Sequence, residues 1–241
     1  PLVEGFLRVP YNDVAAIEAQ VDNDNVVAVM VEPILGEGGV VVPAEGYLTA
    51  LRKLCDRQGW LLILDEIQTG MGRTGRWFAC QHESVLPDVM TRAKGLANGI
   101  PIGVCLARGE AAEVLKAGMH GSTFGGNPFS CAVASAVVDT IVAEGLLENA
   151  TAMGERLKSN IEQGLAGPYQ PTSIRGKGMM VGIELDKPCG DLVSIALTRG
   201  ALINVTAERV VRLLPGLNMN ESEVDQLSEI VCDCVVSFHN Q

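Results

Sequence analysis

Short apolar runs alternate with a stretch of helical periodicity through the first half of the chain. Four of these runs predict strands, over residues 26–31, 60–64, 89–91 and 102–107. Apolar residues recur at helical spacing over residues 44–58, and Gly59 ends the predicted helix. The run 26–31 is continuously apolar, which is typical of a strand covered on both faces. This alternation predicts an α/β fold with a parallel-rich sheet, and such sheets bind ligands at the C-terminal ends of their strands.

The second half of the chain predicts a different arrangement. Small residues dominate positions 130–143 and predict a tightly packed helix, and a second helix is predicted over residues 146–165. Strand-like segments follow at residues 179–185, 201–205 and 210–214. Asn220 and Glu223 have the spacing of a capping box and predict the start of a last helix. We therefore predict a domain boundary near residue 145, with domains at residues 1–145 and 146–241.

Charge and cysteine content narrow the possible classes of function. The formal net charge of −11 argues against nucleic-acid binding, because phosphate backbones require clustered Lys and Arg. The seven cysteines form no Cys-x-x-Cys pair and the three histidines lie far apart, so we predict neither a metal site nor disulfides, and a cytosolic location. No apolar run approaches the ~18 residues of a membrane span. Since the chain starts at Pro1 instead of Met, we expect it to be part of a longer protein.

Two interpretations are open for the acidic pair that ends the second predicted strand. Residues 62–66 (LILDE) have the pattern of the magnesium-binding strand of P-loop ATPases, which also requires a loop of the form G-x-x-x-x-G-K-[ST]. The Gly176–Lys177 pair is followed by Gly178 and lacks the earlier glycine, so that interpretation fails. The alternative, on these residues alone, is that Asp65 ends a strand and caps a turn.

Lys94 has the most unusual surroundings of the six lysines. It follows a predicted strand and is flanked by glycines in residues 93–99 (AKGLANG), whereas the others lie on amphipathic helices or in loops. An amine partly removed from water in such a place can act as a nucleophile, although an ordinary loop lysine is the alternative for Lys94 taken alone. Residues 68–75 (QTGMGRTG) are rich in glycine just past the preceding strand, which lets a flat ligand approach the backbone.

Several segments together resemble the signature blocks of the class III (ω-amino-acid) aminotransferases. The blocks are residues 65–75 (DEIQTGMGRTG), 93–95 (AKG) and 121–128 (GSTFGGNP). The resemblance runs in order along the whole chain, from residues 11–13 (YND) through 32–39 (EPILGEGG) to Arg212, and is nearest to the acetylornithine and ornithine aminotransferases. It implies a fold type I pyridoxal-phosphate-dependent transferase. The first domain would then be the C-terminal half of the cofactor-binding large domain, and the second would be the α+β small domain.

The resemblance implies a cofactor role for five residues. Asp65 would pair with the protonated ring nitrogen of pyridoxal phosphate, which keeps the ring an electron sink, and Gln68 would reach the side of the ring hydroxyl. Lys94 would hold the cofactor covalently, be displaced by the substrate amine and then carry a proton as a base. Ser122 and Thr123 would donate to the phosphate. In the family the Thr reaches into the neighbouring subunit's site, which implies a homodimer.

Glu37 and Arg212 are the predicted substrate-binding pair. Arg212 lies in an otherwise apolar strand, where a buried guanidinium requires an anionic partner; an Arg on the solvent face of the strand is the alternative. In the family, the matching Arg binds the α-carboxylate of glutamate or 2-oxoglutarate through two hydrogen bonds. The matching Glu neutralises the Arg when an ω-amino substrate occupies the site, so that one pocket accepts two differently shaped amino acids.

The implied reaction moves the terminal amino group of N-acetylornithine to 2-oxoglutarate in two half-reactions, giving glutamate and a semialdehyde, as in arginine biosynthesis. Ornithine, succinylornithine and 4-aminobutyrate aminotransferases share the quoted residues and remain alternatives. So do a racemase or aminomutase of this fold and, from another class, a non-catalytic fragment or scaffold. The family's phosphate-binding glycine loop lies upstream of the residues present. We therefore expect residues 1–241 by themselves to bind pyridoxal phosphate poorly and to show no transaminase activity.

Overall fold

The first sheet is built from the short apolar runs of the first half of the chain. The structure is a computed structural model that describes residues 3–240. Four strands lie side by side in chain order: β1 (Ala28–Val31), β2 (Leu61–Asp65), β3 (Val89–Arg92) and β4 (Val104–Ala107). β1, β2 and β3 are parallel, whereas β4 pairs antiparallel with β3. The sheet is therefore parallel-rich, and its register places Asp65 at the end of β2 beside Thr91 of β3.

Helices cover one face of this sheet. α1 (Val14–Glu18) and α2 (Tyr47–Gln58) pack on it, and Gly59 ends α2 with a left-handed φ of 68°, as predicted. The core between the layers contains the buried side chains of Ile17, Leu51, Leu62, Leu64 and Met90. The side chains of Val27 and Met30 are 68% and 55% exposed. The prediction that the run 26–31 is covered on both faces was therefore wrong within the described chain, because both helices lie on the same face.

The second sheet is antiparallel and has its own core. Its strands are β5 (Ser173–Lys177), β6 (Met180–Glu184), β7 (Asn204–Thr206) and β8 (Val210–Leu213), in the order β5-β6-β8-β7. Three helices pack against it: α4 (Leu146–Gly164), α5 (Leu192–Thr198) and α6 (Glu221–His239). The capping box predicted for α6 is confirmed, since the Asn220 side chain accepts from Glu223 N at 3.0 Å and Asn220 N donates to Glu223 Oε2 at 2.8 Å.

Helix α3 (Pro128–Ala143) connects the two sheets and is less buried than its small residues predicted. Its Asn127 cap accepts from Ser130 N, but among its residues only Ser130, Ala134 and Ile141 are buried. The prediction of a tightly packed helix was wrong within the described residues, because most of α3 faces away from both cores. No single helix in residues 3–240 is long and apolar enough to cross a membrane; α3 and α4 reach that length and composition only as a pair bent by 68°. The boundary near residue 145 stays a prediction.

Arginine side chains tie the loops of the first sheet to the second sheet. Arg73 Nη1 donates to the carbonyl oxygens of Met179, at 3.0 Å, and Pro215. Arg175 donates from Nε to Val40 O at 2.9 Å and from Nη2 to Gly39 O at 2.7 Å. Burial lowers the pKa of Arg73 to about 10, so the guanidinium stays charged at neutral pH. The Arg175 contacts hold the loop at residues 36–41 against the second sheet, and the Arg73 contacts do the same for the loop after β2.

Candidate active site

A cavity of about 770 Å³ lies where the ends of the first sheet, helix α3 and the second sheet meet. Glu37, Gln68, Lys94 and Arg212, four of the predicted site residues, all line it. They come from four separate segments, which the parallel strand ends and the arginine contacts bring together. The volume lies within the range of known cofactor pockets, about 300–1,000 Å³.

The Asp65 carboxylate is oriented by two donors. Its Oδ1 accepts from Ile67 N at 3.0 Å and from Thr91 Oγ1 at 3.2 Å. Across residues 3–240, no donor bonds to the second oxygen, Oδ2. Asp65 itself does not line the cavity, but Ile67, two residues further on, does. One oxygen of this carboxylate is thus fixed by the fold, and the other keeps its capacity to accept a hydrogen bond from a ligand.

Lys94 lies two residues after the end of β3 and begins a short 3-10 turn, Lys94–Ala97. Its φ of 44° lies in the left-handed region, a conformation that costs a residue with a Cβ about 1 kcal/mol or more. Such strain persists where the surroundings determine the backbone, and it is common at functional sites. The side chain is exposed towards the cavity, as a nucleophilic amine requires.

Glu37, Gln68 and Arg212 form one hydrogen-bonded group. Arg212 Nη1 donates to Glu37 Oε1 at 2.7 Å and to Gln68 Oε1 at 3.2 Å, and Gln68 Nε2 donates to Glu37 Oε1 at 3.1 Å. The Arg212 side chain is 8% exposed, so the solvent-face alternative is wrong, and the predicted ion pair is present. The Arg212 hydrogen bond lowers the pKa of Glu37, which keeps Glu37 ionised at neutral pH. The pairing weakens only as the pH falls through that lowered pKa.

Ser122 and Thr123 lie apart from this group. Both are exposed, and neither lines the cavity formed by the described residues. Ser122 Oγ accepts from Gly125 N at 3.1 Å, which closes a turn before α3. Their role in binding phosphate stays a prediction.

The glycines of the loop at residues 68–75 serve packing. A Cβ on Gly70 would lie 1.4 Å from Arg92 Nη1, and a Cβ on Gly75 would lie 2.2 Å from Thr151 Oγ1. From the sequence, these glycines were expected to allow close approach of a flat ligand. The structure adds a second reason for glycine at positions 70 and 75, because the space that a Cβ would fill is occupied by side chains of the protein. Gly70 also lines the cavity, and close approach of a ligand to this loop stays a prediction.

Three residues around the site were not predicted from the sequence. Thr91 orients Asp65, and Glu32 directly follows β1, where its Oε2 accepts from Gly36 N at 3.1 Å. Burial raises the pKa of Glu32. Glu66 is fully buried and accepts from Thr69 Oγ1, from Ala79 N at 3.0 Å and from Cys80 N at 2.9 Å, which fixes the loop after β2. Polar residues at the ends of adjacent parallel strands were the available signal for Glu32 and Thr91.

Comparisons with known proteins agree with this geometry. Residues 4–235 match the sequence profile of the family described as Aminotransferase class-III. The chain is 52% identical over 239 residues to the acetylornithine aminotransferase of Nitrosomonas europaea, covering 99% of this chain and 61% of that protein. It is 49% identical over 226 residues to that of Mycobacterium tuberculosis, covering 93% of this chain and 56% of that protein.

Solved structures give the same result. The ornithine aminotransferase from Toxoplasma gondii superposes with a TM-score of 0.95 at 37% identity, covering 100% of this chain and 58% of that one. An acetylornithine aminotransferase from Elizabethkingia anophelis superposes with a TM-score of 0.91 at 39% identity, covering 98% of this chain and 64% of that one. The chain thus spans about three fifths of the length of the curated relatives that it matches.

Proposed function

The chain belongs to the class-III aminotransferases, and we propose that an enzyme containing it transfers the terminal amino group of N-acetylornithine, or of a related ω-amino acid, to 2-oxoglutarate. The observation that carries this proposal is the cavity that brings Lys94 together with the Glu37–Arg212 pair. The reaction binds an ω-amino acid and a dicarboxylate in turn at one site. An amine nucleophile in the same cavity as an arginine that can exchange Glu37 for a substrate carboxylate suits such a reaction. Steady-state turnover of N-acetylornithine with 2-oxoglutarate tests the proposal.

The residues of the site fit pyridoxal phosphate. The exposed amine of Lys94 would hold the cofactor's aldehyde carbon, and the free oxygen of Asp65 would accept from the ring N–H. Gln68 lies beside the cavity with its amide bonded to Glu37 and Arg212, so a contact with the ring hydroxyl would add to those bonds. When bound, pyridoxal phosphate supplies an electron sink that stabilises negative charge at the carbon bearing the amino group.

Proton movement is the second role of Lys94. The amine of Lys94, at the cavity wall, would take the proton from the carbon that bears the substrate's amino group and, as the ammonium, would deliver it to the acceptor carbon. Asp65 contributes a negative charge whose position Ile67 N and Thr91 Oγ1 determine.

Glu37 and Arg212 select between the two substrates. With an ω-amino substrate bound, Glu37 stays on Arg212 and neutralises a buried cation that would otherwise be unpaired. With 2-oxoglutarate bound, the substrate's carboxylate takes the place of Glu37, whose side chain is 71% exposed and free to turn towards water. The guanidinium then makes two parallel hydrogen bonds to the carboxylate.

Arg212→Lys is expected to damage mainly the 2-oxoglutarate half-reaction. An ammonium group cannot reproduce the two parallel hydrogen bonds of a guanidinium, so we expect the KM for the keto-acid acceptor to rise about 10- to 100-fold. The half-reaction with the amino donor should change little. Stopped-flow measurement of each half-reaction separates the two effects, with Arg209→Lys as a control because Arg209 is exposed just before β8. Equal losses in both half-reactions would count against the switch.

The choice among ω-amino acids rests on the comparisons alone. The curated relatives named above are acetylornithine aminotransferases, whereas the Toxoplasma gondii structure is an ornithine aminotransferase. We propose N-acetylornithine, and relative kcat/KM values for N-acetylornithine, ornithine, succinylornithine and 4-aminobutyrate decide between them. Turnover without a keto-acid acceptor would instead indicate a racemase or aminomutase. A homodimer in which Thr123 reaches the neighbouring site, and a cytosolic location, are further proposals.

Residues 1–241 by themselves are expected to bind pyridoxal phosphate poorly. The phosphate carries about two negative charges, and Ser122 and Thr123, the hydroxyl donors assigned to it, are exposed and lie outside the cavity lining. Bringing such a charge out of water without its donors is unfavourable by about 2 kcal/mol or more. Absorbance titration of the isolated polypeptide with the cofactor should therefore give weak binding and no turnover. Monodisperse 1–241 protein with a stable cofactor band and normal turnover would contradict this expectation.

A further inference from the structure

The Gln68 amide completes the Glu37–Arg212 pair. Gln68 Nε2 donates to Glu37 Oε1 at 3.1 Å, and Gln68 Oε1 accepts from Arg212 Nη1 at 3.2 Å. Its two polar atoms therefore bond to the two opposite members of one ion pair. The bond to Glu37 is lost when Glu37 leaves Arg212, whereas the bond between Gln68 and Arg212 does not involve Glu37. The donation from Gln68 to Glu37 therefore stabilises the paired state relative to the state in which Arg212 holds a dicarboxylate.

Gly36 leaves the space in which this amide lies. A Cβ at position 36 would lie 2.2 Å from Gln68 Oε1 and 2.5 Å from Gln68 Nε2, far below any tolerated contact. The φ of Gly36 lies outside the left-handed region, so its backbone accepts an alanine without strain. The sequence needs a glycine here because of the Gln68 amide and not because of the turn. Gly36 and Gln68 are therefore coupled across 32 positions of the chain.

We infer that Gln68 is a specificity-determining residue that sets how readily Arg212 releases Glu37 and accepts a dicarboxylate. Gly36 provides the space that the Gln68 amide requires for this role. This inference rests on the proposed function and deepens it. Without the amide, Glu37 loses one donor and is displaced more easily by an incoming carboxylate. Dicarboxylate affinity should then rise, while discrimination against dicarboxylates in the amino-donor half-reaction should fall.

Gly36→Ala tests the inference without altering Glu37, Gln68 or Arg212. The added methyl group meets only the movable end of a side chain, so the fold should persist while the amide is displaced. In a cofactor-loaded enzyme containing this chain, we expect the Kd of glutarate, a dicarboxylate without a reactive carbonyl, to fall about fivefold. Isothermal titration calorimetry measures this directly and does not depend on turnover. The KM for the keto-acid acceptor should fall in parallel, whereas the KM for the amino donor should not.

Two further variants separate this explanation from general disturbance of the loop. Gly38→Ala lies in the same loop, and its Cβ would meet only Leu35, at 3.2 Å, so glutarate affinity should be unchanged. Gln68→Ala should lower the Kd of glutarate as Gly36→Ala does. Because both changes remove the same amide from the pair, the double variant should show no further effect, which a double-mutant cycle detects.

The outcomes are distinguishable from failure of the proposed function. If the wild-type protein neither binds glutarate nor aminates 2-oxoglutarate, the proposed function is wrong and the inference falls with it. If the wild-type protein does both, but Gly36→Ala leaves the Kd of glutarate unchanged or raises it, only the role of Gln68 is overturned. An additive double variant would also overturn it, because Gly36 would then act by a route other than the amide.

Discussion

Lys94→Ala is expected to lower kcat by about 10⁴-fold or more in a cofactor-loaded enzyme containing this chain. On the proposed function, two contributions of Lys94 are lost at once, namely the covalent bond to the cofactor and the base that carries the proton. The affinity for the amino donor should fall much less than kcat, because Glu37 and Arg212 remain in place. Single-turnover kinetics with the amino donor measure the loss of the chemical step apart from product release.

Chemical labelling gives an independent test of the same assignment. Borohydride reduction of the cofactor-loaded protein, followed by peptide mapping, should place the cofactor on the peptide that contains Lys94. Lys53→Ala is the matched control, since Lys53 is exposed on α2 and remote from the cavity, and it should retain turnover and labelling. Label on Lys177 or on any other lysine would rule out the role of Lys94.

Strand ends were the part of the fold that the sequence predicted best. Asp65 and Lys94 each follow an apolar run, and the parallel pairing of β2 with β3 brings those ends together in the structure. A short apolar run marks a strand whatever its neighbours are, because the pattern depends only on local burial. The direction of a neighbouring strand is not encoded locally, which is why the antiparallel pairing of β4 was not anticipated.

The burial of the face of a strand or helix that points away from its own core was predicted poorly. Met30 of β1 and much of α3 are apolar or small in sequence and yet exposed within the described residues. An apolar or small-residue composition shows that a surface is suited to burial, but it does not show which segment, if any, covers that surface. Predictions of complete coverage therefore failed, although the strand and helix themselves were predicted near their observed positions.

Hydrogen bonds between side chains could not be predicted from the sequence, for a different reason. The ion pair of Glu37 with Arg212 was predicted from a resemblance. The hydrogen bonds of Gln68 to both members of that pair were not, because the Gln68 amide occupies the space that a Cβ at position 36 would fill. The glycines at positions 70 and 75 likewise leave room for side chains of the protein, which the sequence did not indicate. Such close contacts follow from how segments remote in sequence pack, and no local pattern records them.

Asp65→Ala is expected to lower kcat by about three orders of magnitude, and Asp65→Asn should be nearly as damaging. A carboxylate beside the ring nitrogen raises the pKa of that nitrogen, and each unit of such a shift corresponds to about 1.4 kcal/mol, or a factor of ten. Asparagine can still accept from Ile67 N and Thr91 Oγ1, the two donors to Asp65 Oδ1, so it preserves the orientation and removes only the charge.

The comparison of these variants separates charge from geometry. If the negative charge is what the cofactor requires, Asp65→Asn loses nearly as much turnover as Asp65→Ala, and Thr91→Val, which removes one orienting donor and keeps the charge, loses only about tenfold. Circular dichroism and thermal melting check that each variant folds. Asp56→Asn serves as the control, because its side chain is 63% exposed on α2, and it should be indistinguishable from the wild type. Near-normal turnover of Asp65→Asn would refute the electrostatic role and leave Asp65 as a residue that only shapes the strand end.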